Sequence, residues 1–380
     1  MKFVFVTGMF RSGTTLIARM LNTHSQIVCA SDPLRPLFNS YRYSIADHDY
    51  RRAHSRFGPL DDYFLSHKSL LNKILNADFN IIADGDHKEL LENIKESAMP
   101  FSGLWAASLD SNLEFSGYKE LMDHAIGHIN TTYGSNKNAS VIAFKEVWAT
   151  EFAPAFLRSY PDSKAVIIIR DPRAVVSSNI ATGRKYPIFF LARQWRKLSF
   201  VTHSMQKNFK DDLHVIEYED LIKDPELEVR KLTDFIGVPF EEDLLDISKY
   251  FDGNNERWKQ NTNYNHEAKL TINSDSLERW RSILQEPDTL LIELICRDWM
   301  ETFGYECSCP IDTLITKQFN EFRQWPTDEL AEWIKPYSFD EDDETFSTEV
   351  LKEKMRLKFA YGGNLLTHDE SFALQIQGEN

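Results

Sequence analysis

Cysteine is scarce, with four in 380 residues, and Cys29, Cys296, Cys307 and Cys309 stand in no metal-ligand or redox spacing. Cys307-Ser-Cys309 is too close-set for C-x-x-C, so reduced thiols in a cytoplasmic protein are expected. No apolar run approaches the length of a membrane span. A strand-like segment begins at Phe3, so no signal peptide or membrane anchor is expected ahead of it. Positive charge is the minority sign: 43 Lys and Arg against 58 Asp and Glu give a net charge of −15. That balance disfavours nucleic acid and anionic membrane as main partners. An anionic ligand would therefore need a local island of Arg and Lys. There is no internal repeat. The apolar fraction of 42% and charged fraction of 27% are those of an ordinary globular chain, long enough to bury a full core.

What is present begins at the first residues. Phe3-Val-Phe-Val-Thr is an apolar, β-branched run that reads as a buried strand, and a helical pattern follows from about Thr14 to Asn22. Between them, Gly8-Met-Phe-Arg-Ser-Gly-Thr-Thr15 forms a glycine-bounded turn that presents backbone N–H groups at a helix N-terminus, a ready anion site. The spacing is that of G-x-x-x-x-G-K-[ST] with Thr14 in place of Lys. The cation has moved inside the loop as Arg11. Such a loop suits a phosphate-like group but lacks the usual reach to a γ-phosphate.

The rest of the chain alternates. Strands are expected at 27–30, 141–144, 165–169 and 214–218, the third of these a continuous β-branched run of the central, parallel kind. Helices are expected at 187–208, 225–235, 276–284 and 288–303, with Gly237 closing the second. Asp171-Pro172 reads as a helix cap followed by proline at the first helical position. Residues 33–140 are too long for a crossover and read as a helical insertion over the sheet. The plan is an α/β fold: a parallel sheet with helices on both faces and a helical insertion, in a domain covering 1–310. Residues 311–380, with the acidic run at 340–344, read as a solvated C-terminal extension.

Four segments in order resemble the P-loop sulfotransferases that use 3′-phosphoadenosine 5′-phosphosulfate (PAPS), especially the branch of tyrosylprotein and bacterial enzymes. They are Gly8 to Thr15; Ile169-Arg-Asp-Pro-Arg-Ala-Val-Val-Ser-Ser178; Tyr218-Glu-Asp-Leu221 with Asp224-Pro225; and Leu277-Glu-Arg-Trp-Arg281 running into Phe303-Gly-Tyr305. The resemblance implies that Arg11, Ser12, Gly13, Thr14 and Thr15 cradle the 5′-phosphosulfate, with Phe10 where the family commonly has Pro. It implies that Arg170 and Ser178 hold the 3′-phosphate, that Tyr218 approaches the adenosine or that phosphate, and that Arg279 reaches it too. Asp32, twenty-one residues after Arg11, matches the general base of the tyrosylprotein branch, one methylene shorter than its Glu. Lys145 matches a cation that neutralises the bridging oxygen, and sulfuryl transfer, like phosphoryl transfer, draws on such fixed charges. No metal is implied.

Plainer readings stand beside these. Asp171 is a helix cap or a magnesium ligand. Asp32 could cap a turn before Pro33, Tyr218 could be core, and Arg279 and Lys145 could be surface charges. His24 is a second base candidate, and Glu146 orients Lys145. Within the insertion, Phe101, Trp105, Tyr41, Tyr43 and His54 suit either acceptor recognition or a small local core. The expectation is a cytoplasmic PAPS-dependent sulfotransferase acting on a hydroxyl or amine of a carbohydrate or small molecule. A P-loop kinase using ATP-magnesium and a non-catalytic nucleotide-binding protein are the alternatives.

Overall fold

The computed structural model describes residues 1–53, 56, 68–134, 137–183, 186–258, 275–308, 310, 353, 355 and 356. Five strands form one parallel sheet: β1 (Lys2–Gly8), β2 (Ile27–Ser31), β3 (Val141–Val147), β4 (Lys164–Ile169) and β5 (Leu213–Glu217), in the order β2-β3-β1-β4-β5. All five lie where the periodicity places them.

Alternation along β1 sends its side chains to two cores. Val4 and Val6 pack with Ile17, Val229 and Leu232 on one face. Phe5 points to the other, stacked on Phe144 at 4.7 Å and on Phe38 at 5.6 Å. Each of these fully buried apolar side chains contributes roughly 1.5–3 kcal/mol. Both faces are covered, which is why the central strands are apolar throughout rather than alternating.

Helix α1 (Thr14–Thr23) joins β1 to β2. Between β2 and β3 run α2 (Arg35–Ile45), α3 (His48–Ala53), α4 (Lys68–Asn76), α5 (His87–Ala98), α6 (Gly103–Ser108) and α7 (Tyr118–Tyr133), the expected helical insertion. After β3 come α8 (Ala153–Ser159), then α9 (Pro172–Ala181) and α10 (Ile188–Asn208) beyond β4, and α11 (Tyr218–Lys223) and α12 (Pro225–Ile236) beyond β5. The single helix expected over 276–284 is two short ones, α13 (Asp275–Glu278) and α14 (Trp280–Ile283), followed by α15 (Glu286–Thr302). Trp280 is held between the guanidinium groups of Arg173 and Arg281, at 4.2 and 4.4 Å from its ring. No helix among the described residues is long and apolar enough to cross a membrane.

The extension is not wholly solvated. Glu353 is buried and paired with Arg196 of α10, with Arg356 beside it. The acidic run at 340–344 lies outside the described residues. Register sets the position of the site: Gly8 is level with Val147 of β3 and with Ile168 of β4, while Ser31 is level with Lys145. The carboxyl ends of four neighbouring strands therefore finish at one rim, where open α/β sheets place their ligands.

Candidate active site

A cavity of about 590 Å³ opens at that rim. The glycine turn forms its floor. Gly8 needs the absence of a side chain, since a Cβ there would lie 2.5 Å from the Ile168 carbonyl oxygen of β4. Gly13, at φ +102°, precedes α1, and a Cβ there would stand 2.6 Å from the Tyr218 ring. Leu16 and Ile17 donate their amides to the Gly13 carbonyl. The amides of Thr14 and Thr15 belong to the first turn, whose donors have no intrahelical acceptor, and both residues line the cavity. Ser12 is a correction to the expected phosphate cradle. Its amide and its hydroxyl both donate to the Met9 carbonyl, at 3.1 and 2.6 Å, so it closes the turn instead of facing a ligand.

The two expected phosphate clamps stand side by side rather than apart. Arg11 Nε donates to Ser178 Oγ at 2.9 Å, and Arg170 Nη1 donates to the Arg11 carbonyl at 3.0 Å. Arg170 Nη2 donates to the Ser276 carbonyl at 2.8 Å, and the guanidinium lies 4.2 Å over the Tyr218 ring. Its Nε is buried with no acceptor among the described residues. Tyr218 bonds Ser276 Oγ through its hydroxyl at 3.0 Å, and so spans the space between the glycine turn and the tip of β4. All of these residues line the cavity.

Arg279 is not brought to that lining; its backbone carbonyl serves α14 by accepting from Ser282. Asp171 acts as the cap of α9, accepting from the Arg173 amide at 2.8 Å, and its carboxylate is further bonded by the Arg173 guanidinium. The charge of Asp171 is thus matched within the protein, and the residue is absent from the cavity wall.

Asp32 and Lys145 meet at the opposite end. Lys145 Nζ donates to Asp32 Oδ2, and the Val147 amide donates to Asp32 Oδ1 at 3.1 Å. Both side chains are nearly buried, yet both line the cavity. Asp32 sits at φ +48°, and its amide donates to the Lys145 carbonyl at 2.6 Å, which continues the strand pairing one residue past β2. Arg11 and Trp148 also take left-handed backbone, at φ +68° and +65°. Three such non-glycine residues around one cavity store strain of about 1–3 kcal/mol each, as functional sites do.

Glu146 does not orient Lys145. Alternation turns it to the other face of β3, where its Oε1 accepts from the Leu34 amide just beyond Asp32. Burial, and then the neighbouring Asp32 charge, push its carboxyl well above the usual carboxylate range. His24 closes α1: Nε2 contacts the Pro239 carbonyl at 2.8 Å and Nδ1 accepts from the Gln26 amide at 2.9 Å. Both ring nitrogens are spent, so it is structural.

Of the aromatic residues picked from the insertion, only Phe101 lines the cavity. Trp105 is fully buried and donates to the Ala125 carbonyl, Tyr41 is fully buried and donates to the Asp78 carbonyl, and Tyr43 lies under Arg51 and Arg56. His54 lies outside the described residues. The cavity's aromatic wall comes from elsewhere: Phe10 stacks on Trp148 at 5.4 Å and packs against Tyr186 at 5.0 Å, and Trp258, stacked on Tyr250, lines it too. Arg19 and Arg35 complete the wall. Arg19 carried a signal that sequence reasoning passed over, since it lies four residues after Thr15 and shares its helix face.

Among the described residues, Arg11, Arg19, Arg35, Lys145 and Arg170 face only Asp32 and Asp252 across this cavity, an island of positive charge in a chain of net charge −15.

Comparison with known proteins bears on the family and the fold. The profile described as the Sulfotransferase family matches residues 4–242. A "Putative protein-tyrosine sulfotransferase" of Caenorhabditis briggsae is 26% identical over 176 residues, 43% of this chain and 60% of that relative. One of the same description from Caenorhabditis elegans is 24% identical over 225 residues, 54% of this chain and 82% of its own length. The chain thus spans about three-fifths of the first relative. Among solved structures, the sulfotransferase domain of the Synechococcus PCC 7002 olefin synthase superposes with a TM-score of 0.51 at 18% identity, covering 82% of this chain and 96% of that domain.

Proposed function

The chain belongs to the sulfotransferase family, and from that premise we propose that it transfers a sulfuryl group from PAPS to a hydroxyl of a small aromatic acceptor. The observation that carries this reading is the Asp32–Lys145 pair in the same cavity as the glycine turn and the Arg170–Ser178 clamp. The Thr14 and Thr15 amides with Arg11 would hold the 5′-phosphosulfate, and Arg170 with Ser178 the 3′-phosphate. Tyr218, stacked under Arg170, would support the nucleoside between them.

The acceptor oxygen attacks sulfur in line. A new O–S bond forms as the bond from sulfur to the 5′-phosphate oxygen breaks, and adenosine 3′,5′-bisphosphate (PAP) leaves. The acceptor proton passes to Asp32, which accepts it late, when the attacking hydroxyl has become acidic. Lys145 and Arg11 supply fixed positive charge where oxygen charge builds up. The Val147 amide and Lys145 together aim the Asp32 carboxylate, so no reorganisation is needed at the moment of transfer. The wall of Phe10, Trp148, Tyr186, Phe101 and Trp258 suits an aromatic body. A cytoplasmic setting fits the three described cysteines, all free, with Cys29 and Cys296 buried.

The kinase alternative needs a lysine where Thr14 stands and a free carboxylate where Asp171 is bound to Arg173. Thermal-shift measurements with PAP, and separately with ATP and magnesium, test the choice. Stabilisation by PAP is expected, and stabilisation by ATP-magnesium alone would overturn the proposal. Transfer from PAPS to a panel of phenols and sugars then separates an enzyme from a non-catalytic binder. A second reading, a tyrosyl hydroxyl on a protein, draws support from the names of the Caenorhabditis relatives. It predicts that a tyrosyl peptide outcompetes every small phenol in the same assay.

A further inference from the structure

Arg19 is more than nine-tenths buried and lines the cavity, yet its guanidinium has no hydrogen bond or ion pair among the described residues. A buried charge without a partner is among the most costly features a fold can keep. Neither carboxylate of the cavity lining forms an ion pair with Arg19. Asp32 is held by Lys145 and the Val147 amide. Asp252 Oδ1 accepts from the amides of Asn254 and Glu256, at 2.9 and 3.0 Å, and so shapes its own turn.

The carboxylates whose charge reaches Arg19 are Asp252 and Asp32, both in the cavity lining, the second of them the proposed base. Neither belongs to the glycine turn or to the Arg170 clamp. The anionic groups of PAPS have Arg11, Arg170, Ser178 and Lys145 to meet them, which leaves Arg19 for something else. Arg35, exposed at the start of α2, adds a second cation on the same wall.

We propose that Arg19 is the anchor of an anion subsite for the acceptor, and that the acceptor is a small hydroxylated acid whose carboxylate binds Arg19 while its hydroxyl faces Asp32. The inference rests on the sulfotransferase reading and narrows it to a substrate class. A planar guanidinium takes a carboxylate through two parallel hydrogen bonds. Pairing with that carboxylate supplies the countercharge the fold leaves out, so binding and charge neutralisation coincide. The subsite is set deep, and a cavity of about 590 Å³ must also take the nucleotide. Both facts favour a compact acid over a polymer segment.

Calorimetric titration of the PAP-loaded protein with para-hydroxybenzoate, para-hydroxyphenylacetate and their uncharged amides tests the assignment. At least one acid is expected to bind about tenfold or more tightly than its amide, the ratio of a charge-assisted pair. Arg19→Gln is expected to bring that ratio to within about twofold, and Arg19→Lys to keep part of it. Equal binding of acids and amides to the wild type would overturn the proposal, as would absence of binding by every acid, or survival of the preference in Arg19→Gln. Tighter binding through Arg19 by an acidic tyrosyl peptide would overturn the choice of a small acceptor. Should Arg19→Gln fail to fold, the wild-type ratio and Arg19→Lys still decide. A protein that does not bind PAP would refute the sulfotransferase reading instead, and the same acid-to-amide ratio on nucleotide-free protein would then judge the subsite by itself.

Discussion

Asp32 and Lys145 form one unit, and substitutions should show it. Asp32→Asn keeps the shape and tolerates the left-handed backbone at φ +48°, but removes the proposed proton acceptor. Loss of the base is expected to lower kcat about 10²–10⁴-fold while PAP affinity holds within a few-fold. Lys145→Ala should lower kcat by a similar factor, and the double variant should be little worse than either single one, since groups acting together are not additive. Undiminished turnover in Asp32→Asn would remove its assigned role. Gly13 offers a second test at this scale, because two causes demand glycine there. Gly13→Ala is expected to destabilise the fold by about 1–3 kcal/mol through the backbone at φ +102°, and further through the 2.6 Å approach of Tyr218. Denaturant unfolding of Gly13→Ala, with and without Tyr218→Ala, separates the two. The double variant should regain the steric part only, and full recovery would show that the backbone conformation costs nothing.

At the scale of elements, β3 shows what was legible and what was not. Its place and the presence of Lys145 near its end follow from an apolar run followed by Lys-Glu. The role of Glu146 does not, because it depends on which residue of another element lies across the pleat. Here that residue is Leu34, over a hundred positions away. The same division holds elsewhere. The glycine turn, the cap at Asp171 and all five strands rest on local pattern, and they were legible. Arg279 and the aromatic wall depend on tertiary contacts that no spacing encodes, and Ser12 on the conformation of a turn whose hydroxyl folds back on Met9. Trp105 and Tyr41 carried as much aromatic signal as Trp148 and Tyr186, yet the first two fill a core and the latter pair line the cavity.

Glu146 also gives a pH prediction for β3. Its carboxyl titrates higher in the folded chain than in the unfolded chain, where about 4.3 is usual. Its contribution is therefore fully present below pH ~4.3 and is lost as pH rises through the elevated folded value. Glu146→Gln, neutral at every pH, should become more stable relative to the wild type as pH rises above that range. Urea unfolding at a series of pH values checks this, and parallel stability curves for the two proteins would refute the raised titration of Glu146.

Over the whole molecule, opposite charges have been sorted into a few buried places. The cavity gathers five cations around two carboxylates, whereas the contact between the body and the C-terminal extension is closed by ion pairs on one buried carboxylate. Glu353 is 1% exposed and is surrounded by Arg196, Arg193 and Arg356. Burial alone would raise its carboxyl, but these three guanidinium groups, Arg196 first, outweigh that and hold it well below the usual carboxylate range. A depressed folded value means that the stabilisation is present above the unfolded value of about 4.3 and is lost as pH falls through the folded one. Removing one partner leaves the others buried and uncompensated, so Glu353→Ala should cost about 3–5 kcal/mol at pH 7. The deficit should shrink in acid, where the wild type gives up the same contribution. Measuring unfolding free energy for both proteins from pH 7 down to about pH 3 tests the claim. A Glu353→Ala protein as stable as the wild type at neutral pH would mean that the extension is not pinned to α10 through this carboxylate.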